Sequence, residues 1–391
     1  MAEDIDITTL NVTLSDNGTM DNLDYGLYSD AVSINACYDP DCLYKVAGSP
    51  VSVPVEVLLK PKNLTPEDAI ELNKEVLTSL NHDFVQGLFL DSKDLLVIAS
   101  SNPENAVHIY DIQGNLVLSH KLSAEPEELS LAGDGRLLLA VNDSVVFIDI
   151  SDLSNPIEAS YLIGQTLESI ASDGTTIWSI VKTEDQQAIG IYDIDQDFGA
   201  SSYFVFSGPT DFSSLHFDSQ RKSLILQNEF QVTEFSVPSS LEVIEQAFYP
   251  HTGGNCHKLW LLTNMDRWLS SCGDVFEGVN DENSFIQWEK WIPLVDTWDQ
   301  FHDSEYLKHA EESRDGAYIL MTDGELSGTV RIYNTETEEI ESTYYIPTEL
   351  VDGQFYKQTP EFVVMTSSGD LFGVVSDSNS EFYLVKADAS Q

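Results

Sequence analysis

Basic residues are scarce: 18 lysines and arginines stand against 66 aspartates and glutamates in 391 residues, a formal net charge of −48. So few cations cannot build the basic footprint that DNA or RNA binding requires. They give anionic lipid little to attract and leave phosphate-ester substrates short of neutralising groups. Long apolar runs are missing too. The longest, such as Leu137 to Val141, hold about five residues, against the roughly 18 needed to span a bilayer, so no direct membrane insertion is expected. A signal peptide is absent: Met1-Ala2-Glu3-Asp4 is acidic where a secretory n-region is basic. No G-x-S-x-G elbow, Walker loop or dinucleotide glycine fingerprint stands in a convincing context. Disorder is excluded by composition, since 42% of residues are hydrophobic and 10% aromatic.

Cysteine is limited to four residues in two sequence-local pairs. Cys37 and Cys42 enclose Tyr38-Asp39-Pro40-Asp41, which suits a small disulfide loop. Cys256 and Cys272 are centred on a turn at Asn264-Met265-Asp266; antiparallel flanks would bring them opposite each other. Two disulfides are the reading, with reduced buried thiols and a zinc site as the rivals. Disulfides imply an oxidising compartment. The expectation is an exported protein, periplasmic, cell-surface or extracellular, whose signal is absent from this sequence.

Residues 1–50 hold nine acids and one base, Lys45, among many Ser, Thr, Asn and Gly. They read as a flexible acidic leader carrying the Cys37–Cys42 loop. Sequons at Asn11, Asn17, Asn63 and Asn142 are no more than chance supplies.

From about residue 84 the chain repeats. Val107-His108-Ile109-Tyr110-Asp111-Ile112 returns as Val145–Ile150 and Ile189–Ile194, then in degenerate form as Gln231–Val237, Val330–Asn334 and Phe382–Lys386. The first four recur every 38 to 44 residues. Each is followed by a turn and an alternating strand, several of which end in proline, as at Pro250, Pro293 and Pro347. Proline suits an outer edge because it lacks a ladder N–H. Two shorter strands precede each anchor. Four strands per unit of about 40–50 residues is the spacing of a β-propeller blade.

The expected fold is therefore all-β, a single seven-bladed β-propeller over 51–391, with units at 84–122, 123–163, 164–207, 208–250, 251–293, 294–347 and 348–391. The last unit stops after its third strand. Residues 52–61, with outer-strand pattern and terminal proline, are expected to close it as an N-terminal strand. One inserted helix is expected near 66–80: Thr65-Pro66-Glu67-Asp68 offers a cap, and Ile70, Val76, Leu77 and Leu80 recur at roughly helical spacing.

Residues 145–162, Val-Val-Phe-Ile-Asp-Ile-Ser-Asp-Leu-Ser-Asn-Pro-Ile-Glu-Ala-Ser-Tyr-Leu, resemble the LVIVD-type repeat of bacterial and archaeal surface or secreted propellers. Leu153 stands where that repeat often has proline, and Ser160 near its usual glycine. The resemblance implies a propeller in an exported setting and no catalytic activity. A looser likeness to WD-like and lactonase-like propellers brings no catalytic constellation that can be placed residue by residue.

Several groups could carry chemistry. Asp193, Asp195 and Asp197 alternate as calcium ligands do, but Gly199 and Phe204 break the EF-hand pattern. Asp377, Asn379 and Glu381 form a weaker set of the same kind. His302, Asp303, Glu305 and His309 could bind zinc only if a loop brought them together. His251 and His257 flank Cys256. Five of six tryptophans fall between 260 and 298. Of these, Trp288, Trp291 and Trp298, with His302, are the candidate binding residues, since exposed Trp anchors interfaces and stacks on sugars. Trp288 and Trp291, three apart, should face opposite ways in a strand.

The reading is a non-catalytic exported or cell-surface scaffold for protein or glycan partners, with no cofactor. Its alternatives are a divalent-cation-dependent, lactonase-like propeller hydrolase and a structural subunit of a surface assembly. Oligomeric state is not legible.

Overall fold

The computed structural model describes residues 26–34, 48–59, 69–182, 187–194, 202–205, 212–228, 231–236, 246–250, 258–262, 267–277, 287–292, 307–323, 328–351 and 354–388. They divide into two units, 1–63 with 348–356, and 64–347 with 357–391.

The larger unit is a seven-bladed β-propeller of antiparallel four-stranded sheets. Blade 1 comprises Gln86–Leu90, Leu95–Ser100, Ala106–Asp111 and Leu116–Lys121; blade 2, Pro126–Leu131, Leu137–Val141, Ser144–Asp149 and Ile157–Leu162. Blades 3, 4, 5 and 6 open at Leu167, Phe212, Leu259 and Leu307, and blade 7 at Gln358. First strands of neighbouring blades touch, as those of blades 1 and 2 and of blades 3 and 4 do, and form the inner wall. Second and third strands are covered on both faces by neighbouring blades. They therefore read as continuous apolar runs: every residue of Leu95–Ser100 and Leu137–Val141 is buried. Outer strands alternate, as in Ile157–Leu162.

The core is a series of wedges between blades rather than one centre. Aliphatic side chains fill the first wedge: Val97, Ile109, Leu129, Leu139 and Ile148 pack between blades 1 and 2. Phe147, fully buried between blades 2 and 3, meets Tyr161 edge-on and lies under the Arg136 guanidinium at 4.3 Å. Burying a side chain of that size contributes about 2–3 kcal/mol.

The repeat anchors are the third strands, and the seventh blade does end on its third strand, Phe382–Asp388. Its closure differs from expectation. Residues 52–61 do not supply the fourth strand. Lys74–Leu80 does, pairing antiparallel with Phe382–Asp388. The helix expected near 66–80 is thus replaced by two strands, Ile70–Glu71 and Lys74–Leu80; the supposed cap at 65–68 lies outside the described residues. The cause is tertiary: an unpaired third strand offers a ladder of N–H and C=O groups that local helical spacing cannot match. Ile70–Glu71 adds a parallel fifth strand to blade 6 at Tyr344 and Tyr345, and Leu72 buries beside it.

The smaller unit is a sheet ordered Val51–Leu59, Gly26–Ile34, Gln354–Tyr356, Glu349–Val351. Part of the expected flexible leader is therefore a strand, with Gly26 opposite Leu59 and Ile34 opposite Val51. Residues 349–356 belong to this sheet, so blade 7 starts ten residues later than the repeat spacing placed it.

Candidate functional site

Side chains on the inner strands link each blade to the next. In blade 1 Gln86, opposite Ala99, donates from Nε2 to the Leu129 carbonyl at 2.9 Å and accepts from the Leu129 N–H at 3.0 Å. The equivalent residue of blade 2, Glu128, lies opposite Ala140 and accepts from Ser169 Oγ at 3.0 Å and the Ile170 N–H at 2.8 Å. Ser169 Oγ in turn accepts the Leu215 N–H of blade 4 at 3.0 Å. Further round, Lys258 Nζ donates to the Lys308 carbonyl, and Lys308 Nζ pairs with Glu361 at 3.0 Å.

A β-bulge recurs at the start of these strands. Register shifts leave Glu127, Glu168, Ser213, Lys308 and Glu361 as the extra residues of blades 2, 3, 4, 6 and 7. Bulges re-aim side chains, and here they set the polar links just described. Burial pushes Glu128 up to about 7. Burial, with Glu312 and Asp91 nearby, pushes Glu311 up to about 8. Burial pulls His216 down to about 4; burial and Lys258 pull His309, packed against Phe362 at 4.1 Å, down to about 3.

A small polar cavity of about 190 Å³ opens where blade 7 meets blade 1, lined by Asn81, His82, Asp83, Asn102, Ser380 and Glu381 among others. His82 contacts the Tyr110 hydroxyl at 2.9 Å. Burial pushes Tyr110 up to about 12 and lowers His82. A neutral imidazole and a reluctant phenol form a structural pair, not an activated nucleophile.

The opposite ends of the blades look different. The first-to-second and third-to-fourth hairpins emerge there, because strands alternate in direction. Aspartate begins many of these turns and accepts the N–H two residues on: Asp111 from Gln113, Asp134 from Arg136, Asp149 from Ser151, Asp173 from Thr175, Asp218 from Gln220 and Asp315 from Ala317. These are Asx-turns. Asn334 fills the same role in blade 6. Asp218 is buried; the others reach the surface. Backbone donation from Ser151 and from Ala317 holds Asp149 and Asp315 below the usual carboxylate range. One face of the propeller is thus lined with turn carboxylates.

Of the binding residues expected from sequence, Trp298 and His302 lie outside the described residues. Trp288 and Trp291 sit on the outer strand of blade 5, Gln287–Trp291. A bulge there places Trp288 opposite Phe276 and Trp291 opposite Asp274. Cys272 is buried and disulfide-bonded; Cys37, Cys42 and Cys256 lie outside the described residues. Asp195, Asp197, Asp303, Glu305, His251 and His257 lie outside them too. Asp377 caps a hairpin through the Asn379 and Glu381 N–H groups. Among the described residues no three His, Cys, Asp or Glu side chains are grouped to hold a metal ion. No described helix is long and apolar enough to cross a membrane.

Sequence reasoning passed over Gln86, Glu128, His82 and the turn aspartates as a set. The last had a signal, since Asp111 and Asp149 recur in the anchor; the others lie in segments without a shared pattern.

No protein-family profile and no curated protein matches the chain. Solved structures do. The β-propeller domain of Cps50 (Swd1) from Myceliophteria thermophila aligns over 80% of this chain and 99% of its own, with TM-score 0.54 and 10% identity. The WD40 repeats of RRP9 align over 84% and 99%, with TM-score 0.55 and 10% identity. At that identity the likeness is one of fold: a seven-bladed β-propeller related in shape to WD40 domains.

Proposed function

We propose that this protein is a non-catalytic β-propeller scaffold that docks a basic protein partner on its hairpin face. The observation that carries the reading is the set of surface Asx-turn aspartates contributed by blades 1, 2, 3 and 6. Each carboxylate is held by its own turn, which fixes its position before any partner arrives. Preorganised charge of one sign steers a complementary partner and lends specificity. Inner-wall groups such as Gln86, Glu128, Ser169 and Glu361 are engaged in blade-to-blade bonds, which supports scaffold over enzyme. The WD40 likeness supports the same reading by fold analogy. An exported setting is part of the proposal, supported by the disulfide at Cys272 and by the LVIVD-type resemblance of 145–162.

The test is a quadruple variant, Asp111→Asn, Asp149→Asn, Asp173→Asn and Asp315→Asn. Asparagine keeps an Asx-turn, as Asn334 shows in blade 6, while four charges go. Quantitative co-purification from the native source should recover a basic protein with wild type and lose it with the variant, at unchanged melting temperature. Equal recovery by both would sink the hairpin face. Glycan-array binding abolished by Trp288→Ala would favour a glycan ligand, and EDTA-sensitive ester hydrolysis a cation-dependent hydrolase.

A further inference from the structure

Closing the ring brings two histidines face to face. His82 lies in the link between Lys74–Leu80 and Gln86–Leu90, and His108 on the third strand of blade 1. Their rings stack with centroids 4.0 Å apart and planes 10° apart. Both residues are 8% exposed. His82 Nδ1 is 3.1 Å from the Asp83 carbonyl oxygen. A carbonyl can only accept, so Nδ1 carries the proton of the neutral ring and Nε2 accepts from the Tyr110 hydroxyl. Both ring nitrogens of His108 are buried without a partner.

We propose that this stacked pair is an acid-sensitive latch, in which protonation of His108 releases Lys74–Leu80 and opens the seam between blades 7 and 1. A second proton on His82 must go to Nε2, which already faces a donor. Tyr110 would have to turn away. A proton on His108 would put a cation where no acceptor waits, against a ring 4.0 Å off. An unpaired buried charge of that kind is relieved by moving into water.

The surrounding groups do not rescue it. Asp83 favours a charged His82 through its carbonyl and its carboxylate, but by less than burial opposes it. Glu104, beside His108, is taken by Lys121 at 2.9 Å. Glu381, on the blade 7 hairpin, accepts from Tyr383 at 2.7 Å. The other blade 7 neighbours carry no charge: Ser380 lines the cavity, and Phe362 and Phe382 pack on Phe84. Burial lowers both imidazoles, His108 to about 4 with His82 adding to the effect. Lowered basic groups are neutral in the fold, so the seam is strongest above the ordinary histidine range and weakens as pH falls from about 6.5 towards 4. Protons have a route, since His82 lines the open cavity. The ladder at stake is irregular at one point, where its register slips between Leu384 and Val385, and Val76 on it is 47% exposed.

The experiment is hydrogen exchange by mass spectrometry on the full chain at about pH 7 and about pH 4.5, corrected for intrinsic rates, with wild type and His108→Phe. Phenylalanine keeps the stack and cannot take a proton. Peptides covering 74–80 and 106–111 should lose protection roughly tenfold or more in wild type at the lower pH, and under about threefold in His108→Phe. Unchanged wild-type protection, or an equal loss in both proteins, overturns the latch. If His108→Phe does not fold, histidine NMR of wild type decides: His108 should titrate well below the ordinary histidine range and in step with exchange at 74–80. Titration within the ordinary range, or out of step with that exchange, overturns it.

Discussion

Gln86 and Leu129 exchange two hydrogen bonds across the first blade boundary, the amide side chain of one standing in for the strand partner of the other. The inner strand of a blade has an unpaired edge, and its N–H and C=O groups must be satisfied or hydrated. Gln86 fills both roles with one side chain. Gln86→Leu removes both partners at once and should cost about 1–3 kcal/mol. Urea unfolding would read this as a lower midpoint with unchanged slope.

Glu128 holds the next boundary by a related contact, but with a group that titrates. Its folded value, about 7, lies above the ordinary carboxylate range. The sign follows: the stabilising contribution is complete below about pH 4.5 and is lost as pH rises through 7. Glu128→Gln mimics the neutral acid. It still offers an oxygen to the Ile170 N–H and an amide N–H to Ser169. The variant should match wild type at about pH 4.5 and exceed it by about 1–2 kcal/mol at pH 8. Denaturation at the two pH values checks this; a variant weaker than wild type at both would refute the assignment.

Arg221 and Glu234 form a pair in blade 4 with side chains 12% and 2% exposed. Arg221→Met takes the guanidinium from a buried carboxylate and should cost about 3 kcal/mol. The double variant Arg221→Met, Glu234→Met should recover much of that loss, because neither charge then needs the other. Thermal melts of the three proteins complete the cycle.

The sequence made most of this ring legible because its third strands repeat a pattern with physical cause. Val107, Ile109 and Tyr110 are buried, and Asp111 closes the following turn. The closing strand was illegible for the opposite reason. Lys74-Glu75-Val76-Leu77-Thr78-Ser79-Leu80 covers one edge, buries fully only Leu80, and so carries no strict alternation. Residues 51–59 alternate better, yet their partner is Gly26–Ile34. Which free edge a strand meets is a non-local fact. The seam hid for the same reason: His82 reaches Tyr110, 28 residues on. At Trp288 and Trp291 a bulge reset the register, and bulges leave little trace in composition.

Gly373 offers a test of blade 7 itself. A Cβ there would overlap the Phe362 carbonyl oxygen, a backbone atom beside the bulge at 360–362. At Gly87 the added atom meets the Phe362 ring at 2.8 Å, which a side chain can partly avoid. Gly373→Ala should therefore cost about 2–3 kcal/mol, and more than Gly87→Ala. The ranking, taken from melts in one buffer, is the result that matters.

The closing strand decides whether the propeller is one cooperative body. Phe382–Asp388 pairs with Lys74–Leu80 along nearly its whole length, and that ladder ties the start of the propeller unit to its last blade. A chain beginning at residue 64 keeps the strand; one beginning at 81 leaves Phe382–Asp388 as an open apolar edge, which invites edge-to-edge association. The first should unfold in a single transition as a monomer. The second should lose cooperativity and aggregate. A synthetic peptide of residues 69–82 added to the second should restore monomeric behaviour, because the edge it fills is preformed by the other three strands. Light scattering and calorimetry on the three samples separate the cases. If the chain beginning at 81 melts as sharply as the longer one, the ring is held by its blade-to-blade wedges and inner links, and closure contributes little.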